Sequence, residues 1–137
     1  MGNGRFDGRV AVVTGAGQGI GRAVAERFGA DGAAVVVADL NDAAAAETVA
    51  AIEGDGGRAL AVHVDITRPD EVERLVASAT GAFGSIDVLV NNAGGLRSTP
   101  AADVTADEWH LVVDSNLTGA FLCARAAYPA LRASGPG

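Results

Sequence analysis

A glycine-rich turn at residues 14–21, with the sequence TGAGQGIG, is the first segment of this chain that could do chemistry. Glycine lets a backbone turn tightly and come close to a ligand, because no Cβ stands in the way. If a helix begins at this turn, its first N–H groups have no partner within the helix, and its dipole favours an anion there. The turn therefore predicts a site for phosphate groups. Its candidate contact residues are Gly15, Gly17, Gln18, Gly19, Ile20 and Gly21.

The spacing of these glycines separates this turn from the commonest dinucleotide-binding pattern. That pattern is Gly-x-Gly-x-x-Gly, and counting from Gly15 puts Ile20 where its last glycine should stand. The pattern present is instead Thr-Gly-x-x-x-Gly-x-Gly. A glycine-rich strand-to-helix turn that binds no ligand stays the alternative interpretation.

An acidic residue, Asp39, ends the next β-branched run and is followed by Leu40 and Asn41. A carboxylate in this place can accept hydrogen bonds from both ribose hydroxyls of NAD, and it would repel the additional 2′-phosphate of NADP. The glycine turn contains no Arg, and neither Leu40 nor Asn41 is a cation. We therefore expect NAD rather than NADP, although a solvated turn residue is the alternative interpretation of Asp39.

Short β-branched runs alternate along the chain with longer stretches of helical periodicity. The predicted strands cover residues 10–14, 34–39, 59–64 and 86–90. The predicted helices cover residues 19–30 and 42–53, a third helix with Thr67 as its N-cap, and a long helix from the Thr105–Glu108 capping box toward Leu131. Apolar strands separated by helices predict an α/β fold, a doubly wound, Rossmann-like parallel sheet. No linker divides residues 1–137, so we expect one domain.

Two further turns and one helical residue carry polar groups that could face a ligand. Asp65 and Ile66 follow the third predicted strand, and the turn at residues 91–94, Asn-Asn-Ala-Gly, follows the fourth. Such a turn can bond neighbouring strands and leave its backbone facing a ligand. Asn116 lies in an apolar helical stretch, where an Asn is locally unfavourable. The alternatives are that Asp65 is an N-terminal charge on the next helix and that Asn116 marks a kink with a satisfied amide.

In this order, the glycine turn, Asp39, Asp65, the Asn-Asn-Ala-Gly turn and Asn116 resemble the N-terminal portion of the short-chain dehydrogenase/reductase family, in its non-extended branch. The resemblance implies that Asp65 approaches the adenine amine, that Asn91 steadies the sheet, and that Asn116 supports a catalytic set of Asn, Ser, Tyr and Lys. The residues that it implies as cofactor contacts outside the glycine turn are Asp39, Leu40, Asp65, Ile66, Asn92, Ala93 and Gly94.

The same resemblance implies an oxidoreductase that moves a hydride between NAD(H) and the carbon of an alcohol or ketone. The family's Ser and its Tyr-x-x-x-Lys pair follow a fifth strand, and the present sequence lacks them. Its only Tyr is Tyr128, four positions before Arg132, and all 10 basic residues are Arg. We therefore expect an incomplete, N-terminal portion, truncated after the fourth strand and the long helix and inactive alone. The alternatives are a non-catalytic NAD-binding module and a subunit that a partner chain completes.

Composition and charge narrow the possible partners. The formal net charge of -7 argues against a nucleic-acid partner. No apolar run approaches membrane-spanning length, and a single Cys makes a reduced, cytoplasmic setting the default. His63 and His110 have no metal-site spacing, so no metal site is expected. An apolar face exposed on the long helix, residues 105–131, would favour a homo-oligomer or poor solubility.

Overall fold

A parallel sheet of four strands forms the centre of the computed structural model, which describes residues 4–135. The strands are β1 (Val10–Thr14), β2 (Ala34–Asp39), β3 (Arg58–His63) and β4 (Val88–Val90). Their order across the sheet is β3-β2-β1-β4, and every pair is parallel. The chain therefore crosses from one side of β1 to the other between β3 and β4, which confirms the predicted doubly wound topology.

Helices cover both faces of this sheet. They are α1 (Gly19–Ala30), α2 (Asp42–Gly54), α3 (Pro69–Phe83), α4 (Ala106–Val113) and α5 (Gly119–Ala133). Alternate side chains of β1 and β2 point to opposite faces, so Val12 packs with residues of α3 and α5, whereas Val13 packs with residues of α1 and α2. Burial on both faces explains why these two strands are almost wholly apolar.

The edge strand β3 differs from its prediction in extent and in burial. It covers residues 58–63 instead of 59–64, and both Arg58 and His63 at its ends are exposed. Because β3 pairs only with β2 in the described sheet, several of its side chains face solvent. The β4 strand is also shorter than predicted, since it begins at Val88 rather than at residue 86.

The start of the third helix was predicted wrongly. The N-cap of α3 is Arg68, not Thr67, and the helix begins at Pro69. Proline disfavours helical dihedrals in the residue before it, and Arg68 accordingly has an extended backbone, with φ −107° and ψ 110°. The hydroxyl of Thr67 instead donates to Asp65 Oδ1 at 2.7 Å.

The long helix begins as predicted and is then interrupted by a wider turn. Thr105 and Glu108 form the capping box at the start of α4. A π turn at Asp114–Thr118 joins α4 to α5, and the N–H of Gly119 donates to the carbonyl of Asp114, five residues earlier. Within residues 4–135, no helix is both long and apolar enough to cross a membrane.

Candidate functional site

A cavity of about 540 Å³ opens where the carboxyl ends of the four strands meet. Ligands of open α/β sheets bind at this edge, beside the strand at which the chain reverses direction across the sheet. The predicted site residues that line the cavity are Gly15, Gln18, Gly19, Ile20, Asp39, Leu40, Asp65, Ile66, Asn92, Ala93 and Gly94. Gly17, Gly21 and Asn116 do not line it. The fold thus brings together predicted residues from four separate segments of the sequence.

The glycine turn presents bare backbone to this cavity at the start of α1. Gly19, the first residue of the helix, has a φ of +56°, and a Cβ built there would meet no atom within 4 Å. Gln18 is the N-cap, and no side chain in the described part of the structure caps this helix end. The first N–H groups of α1 therefore remain available to an anion at the cavity.

Two other glycines of the turn serve packing. A Cβ on Gly17 would lie 2.8 Å from Asp39 Oδ2 and 2.9 Å from Ala44 Cβ. A Cβ on Gly21 would collide with the carbonyl of Gly15 and with the side-chain amide of Asn92. These positions require glycine because the turn and α1 lie close to their neighbours. The ligand contact that the sequence predicts for them stays a prediction.

The Asp39 carboxylate lies on the cavity wall and is held by two backbone donors. Its Oδ2 accepts a hydrogen bond from Gly17 N–H at 2.8 Å, and its Oδ1 accepts one from Asn41 N–H at 2.9 Å. An ionised carboxylate has about four lone-pair sites, so two bonds leave it able to accept others. Leu40 follows with 62% of its surface exposed at the rim of the cavity.

Thr14 and Asn92 join the ends of β1 and β4. The Oγ1 of Thr14 accepts hydrogen bonds from the N–H groups of Asn92 and Ala93 at 3.1 and 3.0 Å. The side-chain amide of Asn92 donates to the carbonyls of Thr14 and Gly15 at 3.1 and 3.2 Å. These bonds hold the glycine turn against the Asn-Asn-Ala-Gly turn.

These bonds correct the role expected of Asn91 and add Thr14 to the residues that shape the site. The sheet-steadying contacts expected of Asn91 are made by Asn92. Among the residues that the structure describes, the side chain of the exposed Asn91 donates a single long bond, of 3.4 Å, to the carbonyl of Ala120. Sequence reasoning did not single out Thr14. The available signal was a lone hydroxyl at the end of an apolar strand, where burial requires it to find partners.

Asp65 organises the loop after β3. Its Oδ1 accepts hydrogen bonds from the N–H and the hydroxyl of Thr67 at 3.0 and 2.7 Å. Its own N–H donates to Glu71 Oε2 at 2.7 Å, which fixes this loop to α3. The adjacent Ile66 is 7% exposed, and its Cδ1 would lie 2.5 Å from a Cβ on Gly119. Both Asp65 and Ile66 still reach the cavity wall.

Asn116 lies behind the cavity, in the π turn. Its side-chain amide donates to the carbonyls of Gly95 and Val112 at 2.6 and 2.8 Å. A Cβ on Gly94 would collide with Asn116 Oδ1, so the loop after β4 approaches this side chain very closely. An Asn side chain that bonds the carbonyl four residues earlier competes with the backbone of the helix. Asn116 therefore ties the loop after β4 to the point where the long helix is distorted.

Eight lining residues were not predicted from the sequence. They are Ala38, Val64, Thr67, Gly95, Arg97, Leu111, Val112 and Ser115. Leu111, Val112 and Ser115 form a wall where α4 meets the π turn, and Arg97 is the one cation of the lining. The sequence carried no signal for Arg97, because the path of the loop at residues 95–105 follows no regular pattern.

Two titratable side chains near the site form polar contacts of their own. His63 Nδ1 lies 2.8 Å from Asp42 Oδ1, and this hydrogen bond raises the pKa of His63 above its usual value. Hydrogen bonds from Thr99 and from the backbone of Thr105 lower the pKa of Glu108. Across residues 4–135, no group of three or more His, Cys, Asp or Glu side chains could hold a metal ion.

Comparison with known proteins identifies the family. The model of the family described as short chain dehydrogenase matches residues 9–137. The chain belongs to the short-chain dehydrogenase family. This family uses NAD(P) as its cofactor, and the cavity lies where the dinucleotide-binding strands of such a sheet end.

Three members of the short-chain dehydrogenase family illustrate the similarity. The chain is 47% identical over 128 residues, 92% of its length, to a (5R,7aS)-5-hydroxy-7a-methyl-1-oxo-2,3,5,6,7,7a-hexahydro-1H-indene-carboxyl-CoA reductase of Mycobacterium tuberculosis, of which the match covers 49%. It is 41% identical over 123 residues, 88% of its length, to glucose 1-dehydrogenase 2 of Bacillus subtilis, of which the match covers 47%. The crystal structure of a hydroxysteroid dehydrogenase from Escherichia coli superposes with a TM-score of 0.93 at 38% identity, over 97% of this chain and 56% of that one. The chain thus spans about half the length of the curated relatives it matches.

Proposed function

We propose that this chain holds NAD(H) in the cavity at the strand ends, with the pyrophosphate at the start of α1. The observation that carries the proposal is the uncapped helix end at Gly19 together with the Asp39 carboxylate on the wall of the same cavity. Backbone N–H groups suit phosphate oxygens, and the positive end of the helix dipole favours their charge.

The adenosine half of the cofactor fits the wall built from β2 and β3. Asp39 keeps lone pairs that can accept the two ribose hydroxyls, since its present partners are two backbone N–H groups. The carboxylate of Asp65 suits the adenine amine, and the side chains of Leu40 and Ile66 offer apolar surface to the ring. The contact between Asp65 and the adenine amine is the one that the family resemblance implies.

The charges of this wall favour NAD over NADP. Asp39 and Asp65 would both oppose the 2′-phosphate of NADP, whereas the cation of the lining, Arg97, follows β4. Since β4 and β2 flank β1 on opposite sides, Arg97 belongs to the side of the cavity away from Asp39. A lone 2′-phosphate at Asp39 would therefore meet carboxylates and no guanidinium.

The reaction we propose is hydride transfer between nicotinamide and the carbon of an alcohol or ketone. The relatives named as reductases and as a glucose dehydrogenase support this class of reaction. When bound, nicotinamide supplies the hydride chemistry, and the protein orients it and excludes competing reactions. Asn116 contributes by holding the loop after β4 in place. We expect the present chain to bind the cofactor without turnover, because it contains no Tyr-x-x-x-Lys pair.

A homo-oligomer formed through residues 105–131 is part of the same proposal. Large apolar side chains are exposed along this segment, and Trp109 is 62% exposed. Leu117, Phe121 and Tyr128 recur at helical spacing and are 69%, 56% and 59% exposed. A stripe of this kind on a helix is typical of an interface.

Titration of NADH by its fluorescence, with a matched pair of glycine variants, tests the cofactor site. Gly19→Val and Gly84→Val both place a side chain at positive φ, +56° and +84°, with no atom within 4 Å of the added Cβ. Of these two glycines, only Gly19 lines the cavity. We expect Gly19→Val to weaken NADH binding by about tenfold or more, since it removes contacts worth about 1.4 kcal/mol or more, and Gly84→Val to leave it unchanged.

Melting curves accompany both glycine variants, because a β-branched residue at positive φ strains the backbone. If either Val variant fails to fold, the corresponding Gly→Ala pair replaces it. Equal NADH affinity in the Gly19 variant and the parent chain would contradict the proposed position of the pyrophosphate.

A further inference from the structure

Arg97 forms no ion pair with any residue that the structure describes, although acidic residues outnumber basic ones in this chain by 17 to 10. Within the part of the chain that the structure describes, the ion pairs engage Arg9, Arg22, Arg27, Arg68 and Arg74, and none engages Arg97. Its Nη1 donates to the carbonyl of the preceding Leu96 at 3.0 Å. A guanidinium has five N–H donors, so most of those of Arg97 remain available.

Glu108, whose pKa the charge of Arg97 helps to lower, uses its carboxylate for hydrogen bonds to other groups. Glu108 accepts a hydrogen bond from the Thr99 hydroxyl at 2.9 Å through Oε1 and from the Thr105 N–H at 3.2 Å through Oε2. Both carboxylate oxygens thus fix the start of α4 and the loop before it. Arg97 is therefore an exposed cation of the cavity lining that forms no ion pair or side-chain hydrogen bond with Glu108 among the described residues, although its charge contributes to the lowered pKa of Glu108.

The surroundings of Arg97 differ from those of the adenosine wall. Gly94 and Gly95 precede it in the lining. On the same side of the cavity, α4 and the π turn contribute a wall formed by Leu111, Val112 and Ser115. The acidic residues of the lining, Asp39 and Asp65, follow β2 and β3 on the far side of β1. The cavity is thus acidic at one end, and at the other it combines one guanidinium with apolar surface.

We propose that Arg97 recognises an acidic group, a carboxylate or phosphate, carried by the substrate of this site. Guanidinium binds such groups through two parallel N–H···O bonds, and the adjacent apolar wall suits the carbon skeleton that carries the acid. The pyrophosphate of the cofactor is the other source of the same chemistry, but the N–H groups at the start of α1 already suit it. This inference rests on the proposed function and extends it to the class of substrate.

Malonate, a small dicarboxylate, is the probe, and the readout is the NMR signal of the Arg97 Nε–H group. The signal is assigned from its disappearance in Arg97→Gln. Titrations are made on the free chain and on the chain saturated with NAD⁺. We expect malonate to shift this signal in both states, and NAD⁺ alone to leave it nearly unchanged.

Variants separate charge from geometry at this position. Arg97→Gln should weaken malonate binding about tenfold or more, because charge-assisted hydrogen bonds are lost. The affinity of Arg97→Lys for malonate should lie between those of the parent chain and Arg97→Gln, since a lysine keeps the charge but cannot form two parallel hydrogen bonds. Binding to these variants is measured by calorimetry, and the control is Arg132→Gln, an exposed arginine of α5 that does not line the cavity.

Each outcome decides the inference separately from the proposed function. If NAD⁺ itself shifts the Arg97 signal and abolishes the malonate effect, the guanidinium serves the pyrophosphate and the inference is overturned. It is likewise overturned if malonate shifts no signal, or binds equally well to Arg97→Gln, while NADH binding by the parent chain is intact. Loss of NADH binding in the parent chain itself would instead overturn the proposed function.

Discussion

At the scale of single residues, the sequence predicted which residues lie at the cavity better than it predicted which atoms each of them contacts. Asp39 and Gly19 were predicted as site residues from their types and from their places after a strand and before a helix, and both line the cavity. Gly17 and Gly21 come from the same motif, but packing against Asp39 and Asn92 explains why they are glycine. A glycine pattern in a sequence does not distinguish room for a ligand from room for a neighbouring chain segment.

Residue pairs that are distant in sequence were the least predictable. The bonds between Thr14 and Asn92 join residues 78 positions apart, and no local pattern indicates which of two consecutive asparagines makes them. Only the parallel pairing of β1 with β4 brings these side chains together. The same reason explains why Arg97 was missed, since its position depends on where an irregular loop crosses the strand ends.

Asp87 gives a pH-dependent prediction at the residue scale. Burial alone would raise the pKa of this carboxyl, but hydrogen bonds from Arg9, Val10 and Ser85 outweigh burial and lower the pKa. The salt bridge to Arg9 measures 2.7 Å. A carboxyl whose pKa is lower in the folded state stabilises the fold above its unfolded pKa of about 3.9, and this contribution is lost as the pH falls through the folded pKa.

We therefore expect Asp87→Asn to be less stable than the parent chain near neutral pH, and we expect the difference to shrink as the pH falls below about 4. Urea unfolding at several pH values measures it. Asp103→Asn, at an exposed position in the loop before α4, is the control and should show no such trend. A stability difference that is independent of pH would contradict this account of Asp87.

At the scale of elements, the hydrophobic periodicity of the sequence predicted the order and type of the helices and strands. It did not predict the residues at which several of them begin or end. The two central strands matched their predictions because burial on both faces demands apolar residues throughout. The predicted start of α3 was wrong because Pro69 disfavours a helical backbone at Arg68, and this effect outweighed the capping preference of Thr67. The shortened β4 and the exposed β3 reflect positions in the sheet, which the sequence of a single strand does not reveal.

The long helix shows how far an element can be predicted from one polar residue. Its start was given by the Thr105–Glu108 capping box, which the structure reproduces. Asn116 was recognised as unfavourable in a helix, with a kink as one interpretation, and the structure has a π turn at Asp114–Thr118. The partner of its amide, the carbonyl of Gly95, lies in the loop after β4 and was beyond sequence reasoning.

At the scale of the whole molecule, the exposed stripe on α5 and the π turn predicts association between copies of the chain. Replacing Phe121 and Tyr128 together by Ser removes two large apolar surfaces, 56% and 59% exposed, from one face of α5. We expect the sedimentation coefficient at a fixed concentration to fall toward that of a monomer, because apolar burial drives such association.

Leu96→Ser is the matched control for this experiment, since Leu96 is 82% exposed but lies in the loop after β4. Its sedimentation should equal that of the parent chain. A parent chain that is already a monodisperse monomer, with a single cooperative melting transition, would show that the stripe is not an interface.

The central claim is that the Asp39 carboxylate accepts hydrogen bonds from the ribose of a cofactor whose pyrophosphate lies at the start of α1. The most direct measurement is the ratio of NADPH to NADH dissociation constants for the parent chain and for Asp39→Asn, which keeps an oxygen to accept the Gly17 N–H and removes the negative charge. The account predicts that NADH binds the parent chain more tightly, and that the variant binds NADH more weakly and NADPH relatively better. An unchanged ratio, with NADH affinity equal in the two proteins, would contradict it.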